Sequence, residues 1–273
     1  MHSQRVKAAL LFVPLVLIMI VIGGWVHNLF FIAVLLVAAF EYARLFRKLQ
    51  TNPSVPVMMG GVALIALGRW LLPTWFGGLL IALVIFAAAV AALVQYERGD
   101  DSAAFNFAVT LSGVIYIGWV GSYLIDLRAL PAGRGWMLTT LPAVWLADSG
   151  AYYFGSWLGK AKMSPRLSPN KSWAGLIGAI VTGTLGGALL VLLWRRVGWL
   201  PAESALWHGA VIGLAVGVLS PVGDLLISLF KRTAEVKDTG NLIPGHGGIL
   251  DRIDTWIWAA LLGYYLVMLY GMG

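Results

Sequence analysis

Apolar runs of bilayer-spanning length dominate this chain and constrain its fold more than any other feature. A transmembrane helix needs about 20 predominantly apolar residues. Such runs recur at roughly 8–26, 29–46, 56–75, 77–95, 104–125, 136–158, 174–194, 207–230 and 254–272. Only 11% of the 273 residues are charged, against about 25% in soluble domains. With 60% of its residues hydrophobic, a soluble globule of this size would lack the polar groups to cover itself. The expectation is an all-α polytopic membrane protein with about nine transmembrane helices.

Arg5 and Lys7 precede the first run as in a signal sequence, but Ile22-Gly23-Gly24-Trp25-Val26-His27 offers no convincing small-residue cleavage site. That run is read as a helix. The short Trp70-to-Trp75 connection with Pro73 also suits a re-entrant pair for the third and fourth runs. No internal repeat or low-complexity linker divides the chain. Residues 1–273 are therefore expected to form one multispanning domain, with the candidate site in 136–273.

The basic residues orient these helices, because cytoplasmic loops carry an excess of Lys and Arg. With the N-terminus inside, that side holds Arg5, Lys7, Arg44, Arg47, Lys48, Arg98, Lys160, Lys162, Arg166, Lys171, Lys231, Arg232, Lys237 and Arg252. These are 14 of the 19 basic residues; Arg69, Arg128, Arg134, Arg195 and Arg196 fall on the other side. The expected orientation is N-terminus cytoplasmic and C-terminus outside, in the cytoplasmic membrane, with any site built from the basic loops facing the cytoplasm. The formal charge of +7 then reflects insertion and not a nucleic-acid partner. The absence of cysteine excludes disulfides, thiolate metal sites and cysteine nucleophiles.

Twelve acids are few enough to weigh singly. Glu97, Asp100, Asp101, Asp126 and Glu203 fall in loops, where solvation or a helix cap explains them. Glu41 shares a helical face with Arg44 and is read as its structural partner. Asp148 and Asp224 lie inside runs, where an ionised carboxylate costs at least ~2.5–3.5 kcal/mol. From the helical rise, Asp224 sits roughly 9 Å below Phe230 and Asp148 roughly 15 Å below Leu158. Both are expected to face the bundle interior or a cytoplasm-facing cavity, with a structural interhelical hydrogen bond as the alternative for Asp148. Pro221 frees a backbone carbonyl, so Ser220-Pro221-Val222-Gly223-Asp224 reads as a broken helix lining a site.

Polar chemistry concentrates in two cytoplasmic loops. Residues 159–172 alternate cations, hydroxyls and prolines, and for their charge alone they make an ordinary positive-inside loop. Topology does not require the acids, glycines and histidine of the second loop, 231–254. Gly245, Gly247 and Gly248 around His246 permit close backbone approach and offer amides to anions. Asp251 and Asp254, three apart at a helix start, share a face. One histidine among carboxylates is a poor zinc site, whereas oxygen donors suit Mg²⁺ with substrate phosphates. The neighbouring Lys and Arg residues provide the point charges and bidentate forks that a polyphosphate needs. No G-x-x-x-x-G-K-S/T loop is present, and no G-x-G-x-x-G opens a helix after a strand, which excludes the common soluble nucleotide folds.

The stretch S-L-F-K-R-T-A-E-V-K-D-T-G-N-L-I-P-G-H-G-G-I-L-D-R-I-D from Ser228 to Asp254 resembles the signature of the phosphatidate cytidylyltransferases, or CDP-diglyceride synthases. A-D-S-G-A-Y-Y-F-G at 147–155, S-P-N-K-S at 168–172 and Glu41-Tyr42-Ala43-Arg44 look like further blocks of that family. The resemblance thus covers nearly the whole chain. It implies that CTP and phosphatidate give CDP-diacylglycerol and pyrophosphate with Mg²⁺, leaves a second cation open, and implies a homodimer. It also implies a carboxylate metal centre, carried over to Asp224 and Asp251, with Asp254 and Asp148 as weaker candidates; the chain returns from Asp224 to Asp251 on one membrane face. Lys171, Lys231, Arg232, Lys237 and His246 are assigned to phosphates, and Asp238 and Arg252 complete the catalytic set. Ser168, Asn170, Ser172, Asn241, Gly247 and Gly248 join Lys171 and Asp148 as substrate-binding candidates.

Two rivals remain at this level. A carrier would also use intramembrane acids, but it would place its site at the midplane between repeats. A CDP-alcohol phosphatidyltransferase would carry several Asp spaced along one helix with interleaved Gly and Ala-Arg, a pattern absent here.

Overall fold

A computed structural model describes residues 13–240 and 247–273. Among them every apolar run carries a helix. In chain order these are α1 (Val13–Ile22), α2 (Gly24–Arg47), α3 (Val55–Leu71), α4 (Gly77–Glu97) and α5 (Ala103–Gly113). A π-helical segment (Val114–Val120) leads to α6 (Tyr123–Ala129), α7 (Gly133–Leu158), α8 (Trp173–Arg196) and α9 (Leu206–Thr233), then a single turn, α10 (Leu250–Ile253), and α11 (Trp256–Leu269). Among the described residues, five stretches are long and apolar enough to cross a bilayer: Gly24–Arg47, Thr74–Glu97, Ala103–Ala129, Trp173–Arg196 and Leu206–Thr233. The protein is an all-α integral membrane protein. Its loop at 159–172 is more ordered than its composition suggests, folding into an antiparallel hairpin of β1 (Lys162–Ser164) and β2 (Ser168–Ser172).

The chain forms two compact units. The first runs to Ile125 and includes Phe230–Ile253. Its core is Phe31, Leu35, Tyr42, Met58, Ile65 and Ile117, all almost wholly buried. Tyr42 of α2 bonds Ser112 of α5 at 2.8 Å, and its ring meets Phe46 and Phe230. The connection before α3 is tied to α5: Asn52 N–H donates to Asn106 Oδ1 at 2.6 Å and Ser54 N–H to Thr110 Oγ1 at 2.9 Å. Asp100 behaves as the loop acid expected, accepting from Ser102 N–H and Asn106 Nδ2, each at 2.9 Å. The π-segment brings Trp119 to Arg69, whose guanidinium lies 4.0 Å from that ring and 4.2 Å from the Tyr123 ring.

The second unit holds Asp126–Leu229 and Asp254–Gly273. Helices α8 and α9 touch backbone to backbone, since a Cβ on Gly183, Gly187, Gly209 or Gly213 would meet main-chain atoms of the facing helix. Small residues allow this approach, and in a bilayer such van der Waals packing replaces the hydrophobic effect as the cohesive force between helices. Helix α7 is fixed to α8 by Trp194 Nε1 donating to Leu138 O at 3.1 Å, and Trp145 packs against Trp256 of α11. The break expected at Pro221 does not occur. Helix α9 continues through it, with helical residues on both sides of Pro221, although proline removes one N–H donor from the ladder.

Candidate active site

The hairpin builds the site of the second unit. Ser172 ends β2 and caps α8, its Oγ accepting from Gly175 N–H at 3.1 Å. This fixes the preceding Lys171, whose Nζ pairs with Asp224 Oδ2 at 2.7 Å and donates to Pro221 O at 3.3 Å. The other oxygen of Asp224 accepts from Ser228 Oγ at 3.2 Å, one turn further along α9. Around this pair lies a cavity of about 370 Å³. Asp148 and Tyr152 of α7 line it from one element, and Ser168, Asn170, Lys171 and Ser172 of β2 from another. Six residues singled out from the sequence, Asp148, Ser168, Asn170, Lys171, Ser172 and Asp224, therefore converge on one cavity. Asp254 lies in the turn before α11, beyond the end of α10, and its Oδ1 accepts from Thr255 N–H at 2.8 Å.

The first unit holds a second cluster. Lys231 Nζ pairs with Asp251 Oδ1 at 2.6 Å, with the Asp251 side chain only 3% exposed. Oδ2 of Asp251 accepts from Thr239 N–H (2.8 Å), Thr239 Oγ1 (2.9 Å) and Gly248 N–H (3.1 Å). Burial pushes this carboxyl upward, but the bond from Lys231, the two amides and the ammonium charge outweigh it and hold it below the ordinary carboxylate range. A depressed folded-state value means that the network contributes stability above the unfolded carboxylate range and loses it as pH falls through the lowered value. The glycine amide expected to serve a ligand thus serves a protein carboxylate. Gly247 takes a left-handed φ of 81° beside Asp238 and Asp251. Arg232, Lys237 and Asp238 are exposed, whereas Nε of Arg252 is buried with no hydrogen-bond partner among the described residues. Asn241 and His246 lie outside the described residues.

The two carboxylates offer different prospects to a hard cation. Asp224 is 39% exposed and faces the cavity, which suits Mg²⁺, an ion that takes one or two carboxylates and keeps its remaining positions for water and phosphate oxygens. Asp251 has both oxygens engaged, so a metal there would take the place of Lys231. No group of three or more His, Asp or Glu that could hold a metal occurs among the described residues.

Sequence reasoning gave Glu41 a structural role but the wrong partner. It is 5% exposed and accepts from Ile249 N–H (3.1 Å) through Oε1, and from Leu250 N–H (2.9 Å) and Thr239 Oγ1 (3.1 Å) through Oε2. Arg44, the partner expected for it, lies over the Phe40 ring at 5.8 Å.

The profile of the cytidylyltransferase family matches residues 3–270. The chain belongs to that family. It is 36% identical to a phosphatidate cytidylyltransferase of Pseudomonas aeruginosa, over 96% of this chain and 97% of the relative. It is 32% identical to that of Bacillus subtilis, over 98% of each chain, and 30% identical to that of Synechocystis sp., over 98% and 97%. In this cytidylyltransferase the Ser228-to-Asp254 stretch is shared between units: Ser228, Leu229 and Asp254 belong to the second, and residues 230–253 to the first.

Proposed function

We propose that the protein transfers the cytidylyl group of CTP to phosphatidate, giving CDP-diacylglycerol and releasing pyrophosphate. The observation that carries this reading is identity of 30–36% to phosphatidate cytidylyltransferases along at least 96% of the chain. The geometry supports it with a cavity that holds cation and carboxylate together beside hydroxyl and amide side chains.

An oxygen of the lipid phosphate attacks the α-phosphorus of CTP, the bond from that phosphorus to the bridging oxygen breaks, and pyrophosphate departs with the bond electrons. The nucleophile is already anionic at neutral pH, so the protein has little need of a general base. Repulsion between two anions is the barrier it must lower, and preorganised positive charge does this. Lys171, Lys231, Arg232, Lys237 and His246 are assigned to phosphates, and Asp238 and Arg252 complete the catalytic set. Ser168, Asn170 and Ser172 orient the bound substrate from β2. Asp224 and Asp251 are the carboxylates proposed for Mg²⁺, each in its own unit, with Asp148 and Asp254 as secondary candidates. Bound Mg²⁺ would supply Lewis-acid charge at the phosphate oxygens.

Incubating the purified protein with labelled CTP, phosphatidate and Mg²⁺ is expected to release pyrophosphate only when the lipid is present. Release from CTP alone, or equal activity with diacylglycerol lacking the phosphate, would contradict the proposed nucleophile.

The reading extends to nine spans, a cytoplasmic N-terminus, an outer C-terminus, a site open to cytosolic CTP, and a homodimer. The distribution of basic residues supports the orientation. In this cysteine-free chain, single cysteines at the exposed positions Arg98 and Lys162 should react with an impermeant maleimide only from the cytoplasmic side, and one at Arg196 only from the other. Labelling of the first two from outside would overturn both the orientation and the cytosolic site.

A further inference from the structure

We infer that Glu41 is a positioning residue for the segment that runs from Lys231, at the end of α9, to Asp251 of α10, acting as a built-in anion that holds the amides of Ile249 and Leu250 and the hydroxyl of Thr239. This inference rests on the proposed function for its consequence in catalysis, and on geometry alone for the clamp.

A carboxylate buried to 5% exposure is costly unless its lone pairs are satisfied. Among the described residues, Glu41 meets that condition with donors from two places, the adjacent amides of Ile249 and Leu250 and the side chain of Thr239. Both places belong to the segment that presents Lys231 and Asp251. Thr239 Oγ1 stands 3.1 Å from Glu41 Oε2 and 2.9 Å from Asp251 Oδ2, so a single hydroxyl hydrogen links the two carboxylates. A Cβ at Gly240 would fall on Glu41 Oε1, and one at Gly248 on Oε2. These two glycines are therefore spacers for a protein carboxylate. Asp251 closes the same loop from the other side through Thr239 and Gly248, and it is the partner of Lys231. Loosening Glu41 would loosen both.

Glutamine at position 41 is nearly isosteric but chemically wrong. Each carboxylate oxygen faces a backbone N–H, and a carboxamide offers one oxygen and one NH₂, so in either orientation a donor faces a donor. The expected order of activity is therefore unusual: Glu41→Gln should be no better than Glu41→Ala, while Glu41→Asp, which keeps two acceptors on a shorter stem, should recover part of the loss. A residue that only filled space would tolerate glutamine.

The test combines turnover with hydrogen exchange on the full-length protein in detergent. Misplacing reacting groups by ~1 Å costs on the order of a hundredfold in rate, so kcat of Glu41→Gln is expected to fall about that far. Peptides covering 238–253 should exchange at least about tenfold faster, while those from α7 and α8 keep wild-type rates. Wild-type turnover in Glu41→Gln, or unchanged exchange in 238–253, would overturn the inference. If Glu41→Gln does not fold, Thr239→Val decides: faster exchange confined to 238–253 supports the clamp, and wild-type or chain-wide change removes it. An inactive wild type would defeat the proposed function, yet the exchange result would still settle the clamp.

Discussion

Asp224→Asn is expected to leave the protein folded and lower turnover by at least a hundredfold, without recovery at high CTP. The two halves of this outcome follow from different magnitudes. The Lys171 and Asp224 side chains are 22% and 39% exposed, and a water-accessible ion pair contributes only ~0–1 kcal/mol to stability. Losing it should barely move the thermal transition. In a reaction between two anions, by contrast, removing one preorganised charge contact costs ~3 kcal/mol of the barrier, about a hundredfold or more in rate. Asparagine keeps the shape of the side chain, so neither packing nor the bond from Ser228 explains such a loss. It also leaves the Lys171 ammonium beside Pro221 O without its counter-charge. The measurement is kcat against Mg²⁺ and CTP concentration, paired with thermal unfolding. If the variant keeps most of its activity at limiting Mg²⁺, the metal role is wrong and the acid is structural.

Gly213→Val should act in the opposite way, on folding and only through folding on activity. A Cβ at Gly213 would overlap the carbonyl of Gly183, and Gly187 and Gly209 are in the same relation one turn away. Overpacking usually costs ~1–3 kcal/mol because side chains shift aside. Here the obstacle is backbone, so the helices must separate and the cost should reach ~3 kcal/mol or more. At ~2–4 °C per kcal/mol for a chain of this size, the thermal midpoint should fall by about 10 °C. Gly60→Ala is the control, since a Cβ there meets nothing within 4 Å. A Gly213→Val variant with the wild-type midpoint would show that α8 and α9 do not depend on this contact.

The helices were readable in the sequence because bilayer length and the need to satisfy every backbone donor leave few alternatives for a long apolar run. Asp148 and Asp224 were readable because an acid inside such a run demands compensation, which Asp224 finds in Lys171, whereas Ser168, Asn170, Lys171 and Ser172 stood out only through the family resemblance. The hairpin was not. Pro165 and Pro169 argue against strands, but both strands of a two-stranded ribbon are edges, where a proline such as Pro169 is tolerated. Pro221 misled in the other direction, since a single missing donor did not interrupt α9. The donors of Glu41 were invisible for a different reason. Local spacing offered Arg44 three residues away, whereas its actual donors lie 198 to 209 residues further on, where no periodicity reaches.

That separation has a consequence for biosynthesis. Ribosomes add ~5–20 residues per second, so α2 emerges roughly 10–40 s before the residues that will satisfy its glutamate. Throughout this interval the nascent helix carries an acid near its end with none of its final donors yet made, and water must stand in for those donors. The loop in turn has no anchor until α2 is already in place. A C-terminal fragment carrying every residue from Asp148 to Asp254 would lack this anchor, so the segment is not a portable module: it matures last, onto a helix made among the first.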